Sequence, residues 1–157
     1  MFFVPIFAKK IVMRFISSVS LWLKAARPKT LPASLSPVLL GCALAYRDNG
    51  GMLLLVPAVL CFLVSLFAQI ASNFANDYFD FKKGADGADR LGPERAVAQG
   101  WIKPKDMLKA TVITLVLACL FGCMLIPYGG WELIPVGLAI AVCVLAYSTG
   151  PYPLAYN

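Results

Sequence analysis

The sequence predicts an all-α protein, a polytopic transmembrane helical bundle with about four spanning helices. Hydrophobic residues make up 60% of the chain, whereas soluble domains contain about 45–50%. Charged residues are absent from four stretches, at 30–46, 49–76, 110–131 and 133–157. Each stretch approaches or exceeds the roughly 17–25 residues that cross the hydrocarbon core of a lipid bilayer. The first contains Pro32 and Pro37, which membrane helices tolerate better than soluble helices do.

The distribution of positive charge predicts how these helices are oriented. The chain carries 14 Lys and Arg residues and has a net charge of +6. Nearly all of these residues precede the first stretch or lie between the second and the third, whereas Arg47 lies in a connection of the opposite parity. By the positive-inside rule we expect a multi-pass protein of the inner (plasma) membrane with both termini and the 77–109 connection in the cytoplasm. Because the basic residues follow the topology, we expect no nucleic-acid partner.

The chain divides into a short N-terminal segment and a membrane domain. Residues 1–20 are mixed apolar and basic, which favours a cytoplasmic or interfacial segment over a cleaved signal peptide; Met1 and Met13 are both acceptable starts. Residues 21–157 form the membrane domain. The predicted spans are about 31–46, 52–75, 107–127 and 131–148, and the second continues as a helix to Asp80 before a glycine-rich loop.

Amide and acidic side chains gather where the second span ends. Four of them have the spacing i, i+3, i+4 and i+7, which places them on one face of a helix: Asn73, Asn76, Asp77 and Asp80. We call this set the polar stripe. Polar side chains at membrane depth are costly and usually mark a functional site. The alternative is a helix end that is solvated by lipid headgroups and water.

The polar stripe and the loop that follows it predict a site for Mg²⁺ and a diphosphate. Mg²⁺ prefers oxygen ligands and usually binds through one or two carboxylates plus substrate phosphates. Asp77 and Asp80 offer such carboxylates, while Asn73 and Asn76 offer neutral oxygens. The loop adds donors suited to phosphate oxygens: Lys83, Arg90 and Arg95. A lipid-tailed diphosphate fits this position best, although the basic side chains are also suited to anionic headgroups.

Three further features exclude other chemistry. The chain has no histidine, which removes haem ligation and histidine-based acid–base catalysis. The five cysteines all fall in charge-free stretches, where we expect small buried hydrophobic side chains rather than disulfides or metal ligands. No glycine loop leads into a Gly-Lys-Ser/Thr motif, so the sequence gives no support to nucleotide hydrolysis.

Several short motifs together resemble the UbiA-type intramembrane prenyltransferases. Asn76–Asp80, which reads Asn-Asp-Tyr-Phe-Asp, resembles the first aspartate-rich motif of that family, NDxxDxxxD. Further stretches are similar to its 1,4-dihydroxy-2-naphthoate polyprenyltransferase branch: Arg27–Ala33, Lys83–Asp86, Asp89–Pro93 and Gly150–Leu154. The resemblance covers residues 20–157, and the motifs occur in the order of the family.

The resemblance implies an Mg²⁺-dependent enzyme that joins a polyprenyl diphosphate to 1,4-dihydroxy-2-naphthoate in menaquinone biosynthesis. Asn76, Asp77 and Asp80 would be its catalytic residues. Gly84 stands where the family has its third motif aspartate, and Asp86 is expected to replace that aspartate as a metal ligand beside Asp77 and Asp80.

The family also has about nine transmembrane helices and a second aspartate-rich motif after the fourth. Because that motif does not occur before Asn157, we expect the N-terminal half of a larger UbiA-type fold, inactive by itself and able to self-associate. Two alternatives remain open. One is a UbiA-type enzyme with another aromatic acceptor, such as 4-hydroxybenzoate. The other is a non-enzymatic membrane component, such as a small transporter subunit or an assembly factor.

Overall fold

The computed structural model describes residues 17–84, 94–147 and 149, and every regular element in these ranges is helical. In chain order the elements are α1 (17–26), a short 3-10 helix (Pro28–Thr30), α2 (Leu31–Asp48), α3 (Leu55–Lys83), α4 (Pro104–Cys123), α5 (Ile126–Gly129) and α6 (Leu133–Ala146). The predicted all-α class is therefore confirmed. Helix α1 runs through residues 20 and 21, where the sequence suggested the start of the membrane domain.

Two of the described helices, α3 and α4, are long and apolar enough to cross a membrane, with 29 and 20 residues. Helix α6 is apolar but has 14 residues, about 21 Å at the helical rise of 1.5 Å per residue. Helix α2 has 18 residues, contains Pro37 and ends in Arg47 and Asp48. Of the four predicted spans, two are therefore supported by helix length and composition.

The third predicted span, 107–127, is divided in the structure. Helix α4 ends at Cys123, and the short helix α5 begins at Ile126. Pro127 occupies the first turn of α5, where its missing N–H would have had no helical acceptor in any case. The proline therefore starts a new helical turn instead of continuing α4.

Helix α3 is the centre of the bundle, because α2, α4 and α6 each pack against it. Near its C-terminal end, an apolar cluster joins α3 to α1, to the segment before α4 and to the first turn of α4: Ala25, Ala26, Phe74, Ala96, Val97, Ile102 and Met107. A second cluster joins α3, α4 and α6 through mostly small side chains: Ala68, Ala71, Ala118 and Val144. Small residues let membrane helices approach closely. The C-terminal end of α3 is thus the most enclosed part of the helix.

Serine hydroxyls satisfy backbone carbonyls around the proline of α2. Pro37 has no N–H and cannot donate to the carbonyl of Ala33 in the preceding turn. Ser36 Oγ donates to that carbonyl at 3.1 Å. Ser65 Oγ of α3 donates to the carbonyl of Ser34 at 2.7 Å, which ties α2 to α3. Such hydroxyl bonds are one way in which membrane helices accommodate proline.

Large apolar side chains cover the outer faces of the bundle. Leu39 of α2, Ile113 of α4 and Leu138 of α6 expose 65%, 59% and 64% of their surface. Soluble monomers rarely present such faces over several helices, whereas lipid or neighbouring membrane helices would cover them. The exposed surface therefore agrees with a membrane protein.

Candidate functional site

The polar stripe lies on the buried face of α3, close to its C-terminal end. Its four residues are almost fully buried, with exposed fractions of 3% for Asn73, 9% for Asn76, 1% for Asp77 and 6% for Asp80, counted over the whole residue. The helix continues without a break to Lys83, where Gly84 ends it in the left-handed conformation, with φ 69°. The structure thus brings together the four side chains that the sequence spacing placed on one face.

The segment 94–103, which leads into α4, covers the polar stripe. The amide of Trp101 donates to the carbonyl of Ala96 at 2.9 Å, and Gly100 closes the turn with a φ of 70°, which favours glycine. Trp101 also lies under Lys24 of α1, whose Nζ is 5.0 Å from the ring centroid. Trp22 of α1 packs edge-on against Phe74 at a centroid distance of 5.6 Å. Helix α1 and this segment therefore enclose the stripe from two sides.

Asp77 binds the backbone of the covering segment. Its Oδ2 accepts a hydrogen bond from the amide of Ala96 at 2.9 Å, and its Oδ1 accepts one from the amide of Val97 at 3.0 Å. Hydrogen bonds to an ionised carboxylate are among the stronger ones in proteins. The sequence predicted a metal ligand at this position, and in the structure both carboxylate oxygens already have backbone donors.

Asp80 lies one turn further along α3 and pairs with Arg95. The Arg95 Nη2 group donates to Asp80 Oδ2, and the two side chains retain 5% and 8% of their exposure. A buried charge is tolerated when a partner of opposite charge is in contact with it. The predicted metal ligand and the predicted phosphate donor are therefore in contact with each other.

Asn76 presents a buried acceptor to the site. Its Oδ1 is shielded from solvent and has no hydrogen-bond partner among the described residues. Leaving a buried polar atom unsatisfied costs about 1–3 kcal/mol, and such atoms often indicate where an ion, a water molecule or a ligand binds. This oxygen is the strongest indication in the described structure that the stripe binds something.

Asn73 has a different environment, because its carboxamide joins α3 to the turn before α2. Its Nδ2 donates to the carbonyl of Ala26 at 2.8 Å and to Thr30 Oγ1 at 3.0 Å. Between these two partners, Arg27 adopts a left-handed conformation with φ 52°, which is uncommon for residues other than glycine. Asn73 therefore supports the turn that carries Arg27.

Arg27 is the site residue that the sequence analysis did not select. Its guanidinium lies close enough to the Asp77 carboxylate for a favourable charge interaction. The sequence does contain a signal for it, since Arg27 opens the family-like stretch Arg27–Ala33. Arg27 and Arg95 thus bring two guanidinium groups towards the carboxylates of the stripe.

The remaining predicted residues are exposed or lie outside the described structure. Lys83 is exposed in the last turn of α3, whereas Asp86 and Arg90 lie outside the described residues. Within the part of the chain that the structure describes, no three His, Cys, Asp or Glu side chains come together as a metal site.

Comparison with known proteins identifies the family. Residues 34–157 match the model of the UbiA prenyltransferase family. The chain belongs to this family. Members of the UbiA family are integral membrane proteins, in agreement with the apolar helices α3 and α4. No solved structure matches the chain with significant similarity.

Two bacterial relatives carry the same name. The chain is 38% identical over 148 residues to the 1,4-dihydroxy-2-naphthoate octaprenyltransferase of Escherichia coli (strain K12), covering 90% of this chain and 47% of that protein. It is 37% identical over 141 residues to the protein of that name from Bacillus subtilis (strain 168), covering 87% and 43%. The chain therefore spans about half the length of these UbiA relatives.

A human relative carries a broader name. The chain is 37% identical over 97 residues to the UbiA prenyltransferase domain-containing protein 1 of Homo sapiens, covering 60% of this chain and 27% of that protein.

Proposed function

We propose that this UbiA-family chain forms part of an enzyme that transfers a polyprenyl group from polyprenyl diphosphate to 1,4-dihydroxy-2-naphthoate. Loss of diphosphate and carbon dioxide would give the quinol (reduced) form of demethylmenaquinone, in menaquinone biosynthesis. The observation that carries the proposal is the buried Asn76 Oδ1, which has no partner among the described residues and shares the stripe with Asp80 and its partner Arg95. The names of the bacterial relatives supply the acceptor.

The stripe fits Mg²⁺ as the cofactor. Asn76 Oδ1 and the Asp80 carboxylate are hard oxygen donors one turn apart on α3, and these are the ligands that Mg²⁺ prefers. We assign them as the residues that would hold the ion, together with Asp86, which the resemblance implies as a ligand and which lies outside the described residues. When bound, Mg²⁺ would neutralise the negative charge that develops on the departing diphosphate.

Cationic side chains around the stripe would bind the diphosphate itself. Arg95 is held at the site by its contact with Asp80, and its planar guanidinium is suited to bidentate contact with phosphate oxygens. Arg27 approaches from the turn before α2. We propose Lys83, in the last turn of α3, and Arg90 as further donors. A fixed cation near the leaving group stabilises the transition state without reorganisation during the reaction.

Histidine is not required for this chemistry. Departure of diphosphate leaves an allylic cation, and an electron-rich naphthoate ring captures it without a strong general base. The chain, which has no histidine, supplies carboxylates, carboxamides and guanidinium groups at the stripe. These groups bind and orient the diphosphate, and the buried position of the stripe excludes water from the cation.

An apolar cleft between α4 and α6 is suited to the prenyl tail. It has a volume of about 240 Å³, and its lining includes Val64, Leu115, Ala118, Leu133, Gly137 and Ile140. Val64 lies about 24 Å from Asp80 along α3, at 1.5 Å per residue. The diphosphate at the stripe and the tail in this cleft would therefore lie along the same helix.

The proposed orientation places the stripe at the cytoplasmic surface of the inner membrane. It rests on the Lys and Arg residues that precede α2 and lie between α3 and α4. Green fluorescent protein fused after Asn157 is expected to fluoresce, because it remains in the cytoplasm, while a fusion after Gly50 is expected to be dark. Alkaline phosphatase activity from a fusion after Asn157 would contradict this orientation.

The acceptor is tested directly with membranes that contain the full-length protein. Incubation with Mg²⁺, a polyprenyl diphosphate and 1,4-dihydroxy-2-naphthoate is expected to give demethylmenaquinone, measured by chromatography and mass spectrometry. Membranes without the protein provide the background. Turnover of 4-hydroxybenzoate without turnover of the naphthoate would show that the acceptor is wrong. No product from either acceptor would contradict prenyl transfer.

A further inference from the structure

Two neighbouring carboxylates of α3 hold three consecutive residues of the segment that returns towards α4. Asp77 accepts hydrogen bonds from the amides of Ala96 and Val97, at 2.9 and 3.0 Å. One turn later, Asp80 pairs with the side chain of Arg95. The first carboxylate therefore binds the backbone, and the second binds the side chain of the residue directly before that backbone.

This arrangement fixes the register of the returning segment against α3. With the amides of residues 96 and 97 bound to Asp77, Arg95 lies beside Asp80, one turn further along α3. Ala96 and Val97 are themselves buried, with 2% and 3% exposure, in the cluster that includes Phe74. The position of the Arg95 guanidinium thus depends on a bond made by the neighbouring residues.

Asp77 differs from Asn76 in what remains available for a ligand. Asp77 is 1% exposed, and each of its oxygens has a backbone donor. A metal that used these oxygens would weaken the bonds that hold the returning segment. Asn76 Oδ1 is buried and has no such donor among the described residues. An ion at the stripe would therefore use Asn76 and Asp80 and leave Asp77 in place.

We propose that Asp77 is a positioning residue, which holds residues 96 and 97 so that Arg95 reaches the diphosphate, and that it does not ligate the metal. The inference rests on the proposed prenyl transfer for its kinetic consequence. Its structural part, the bond between Asp77 and two backbone amides, does not depend on the reaction. The test therefore has one structural readout and one kinetic readout.

The structural readout is amide hydrogen exchange of the full-length protein in lipid nanodiscs. In Asp77→Asn, the carboxamide oxygen still accepts from one amide, but its NH₂ group faces the other. Loss of one bond to a charged group is expected to speed exchange at Ala96 and Val97 by about tenfold. Asn73→Ala is the matched control, because it removes a different hydrogen bond of α3, the one to the carbonyl of Ala26. It is expected to leave exchange at these two amides unchanged. Unchanged exchange in Asp77→Asn would overturn the proposal.

The kinetic readout separates positioning from metal ligation. In Asp77→Asn we expect the KM for the polyprenyl diphosphate to rise by about tenfold, while the Mg²⁺ concentration for half-maximal rate stays unchanged. Asp80→Asn is the comparison in which the Mg²⁺ requirement rises. In an Arg95→Ala background, Asp77→Asn should cause little further loss of kcat/KM, because the side chain that it positions is absent.

Each outcome decides the matter. A rise in the Mg²⁺ requirement of Asp77→Asn overturns the proposal, whatever happens to amide exchange, because it shows that Asp77 is a ligand. Independent, additive losses for Asp77→Asn and Arg95→Ala overturn the coupling between them. If the unsubstituted protein forms no prenylated product, the proposed function fails, and the exchange experiment still decides whether Asp77 holds residues 96 and 97.

Discussion

Replacing Asp80 by alanine is expected to abolish Mg²⁺-dependent prenyl transfer by the full-length protein. The substitution removes the proposed metal-binding carboxylate and also the charged partner of Arg95, which is 5% exposed. Loss of a group that stabilises charge in the transition state lowers kcat by about a hundredfold to a thousandfold. We therefore expect product formation close to background at saturating polyprenyl diphosphate. Asn76→Ala should lower the rate severely for the same reason.

Asp80→Ala also needs a control for folding. Breaking a buried ion pair from one side costs about 3–5 kcal/mol, so the variant must be compared with Asp80→Asn, which retains an oxygen for Arg95. Asp106→Ala is the matched surface control, because Asp106 is an exposed residue in the first turn of α4. Monodispersity in detergent and the apparent melting temperature verify folding. A well-folded Asp80→Asn enzyme with the parental rate and Mg²⁺ requirement would contradict the site.

A protein limited to residues 1–157 is expected to form no demethylmenaquinone above background. The bacterial UbiA relatives are about twice as long as the part that this chain matches, and the resemblance implies a second aspartate-rich motif beyond that part. Both carboxylates of the stripe, Asp77 and Asp80, lie on the same helix, α3. A single set of ligands on one side of the diphosphate should not be sufficient to stabilise its departure.

The exposed outer faces of α2, α4 and α6 lead to a second expectation for this protein. Without further helices over residues such as Leu39 and Leu138, it should be poorly stable in detergent or associate with other copies. The assay uses purified 1–157 with Mg²⁺, a polyprenyl diphosphate and the naphthoate, and the full-length protein is the positive control. Robust turnover together with a defined oligomer, measured by light scattering, would show that several copies of this segment form a complete site together. It would contradict the interpretation of this segment as half of an enzyme.

The sequence was sufficient to predict the features that depend on local pattern. Charge-free stretches located α3 and α4, and the spacing of Asn73, Asn76, Asp77 and Asp80 placed them on one helix face, because both patterns act within a single helix. The helix limits were less accurate. The sequence analysis treated residues 107–127 as one span, whereas α4 ends at Cys123 and α5 begins at Ile126.

The partners of the stripe could not be predicted, because they depend on how distant segments fold back. The bonds from Ala96 and Val97 to Asp77 join residues that are separated by a loop in the sequence. Nothing in the composition of that loop indicates which amides will meet the carboxylate. The left-handed backbone conformation of Arg27 could not be predicted from the sequence either, because residues other than glycine rarely adopt it. It occurs beside the contact between Asn73 and the carbonyl of Ala26, which distant segments form.

The aromatic packing beside the stripe gives the protein an intrinsic optical reporter. The chain has three tryptophans. Trp22 and Trp101 pack against the apolar cluster at the end of α3, while Trp131 is 76% exposed beside the α5–α6 connection. Indole emission depends on the polarity around the ring, so in a protein limited to residues 1–157 the Trp131→Phe variant would emit from the neighbourhood of the stripe. Release of the segment that carries Trp101, or its tightening around a diphosphate, would then appear as a wavelength shift without any attached dye.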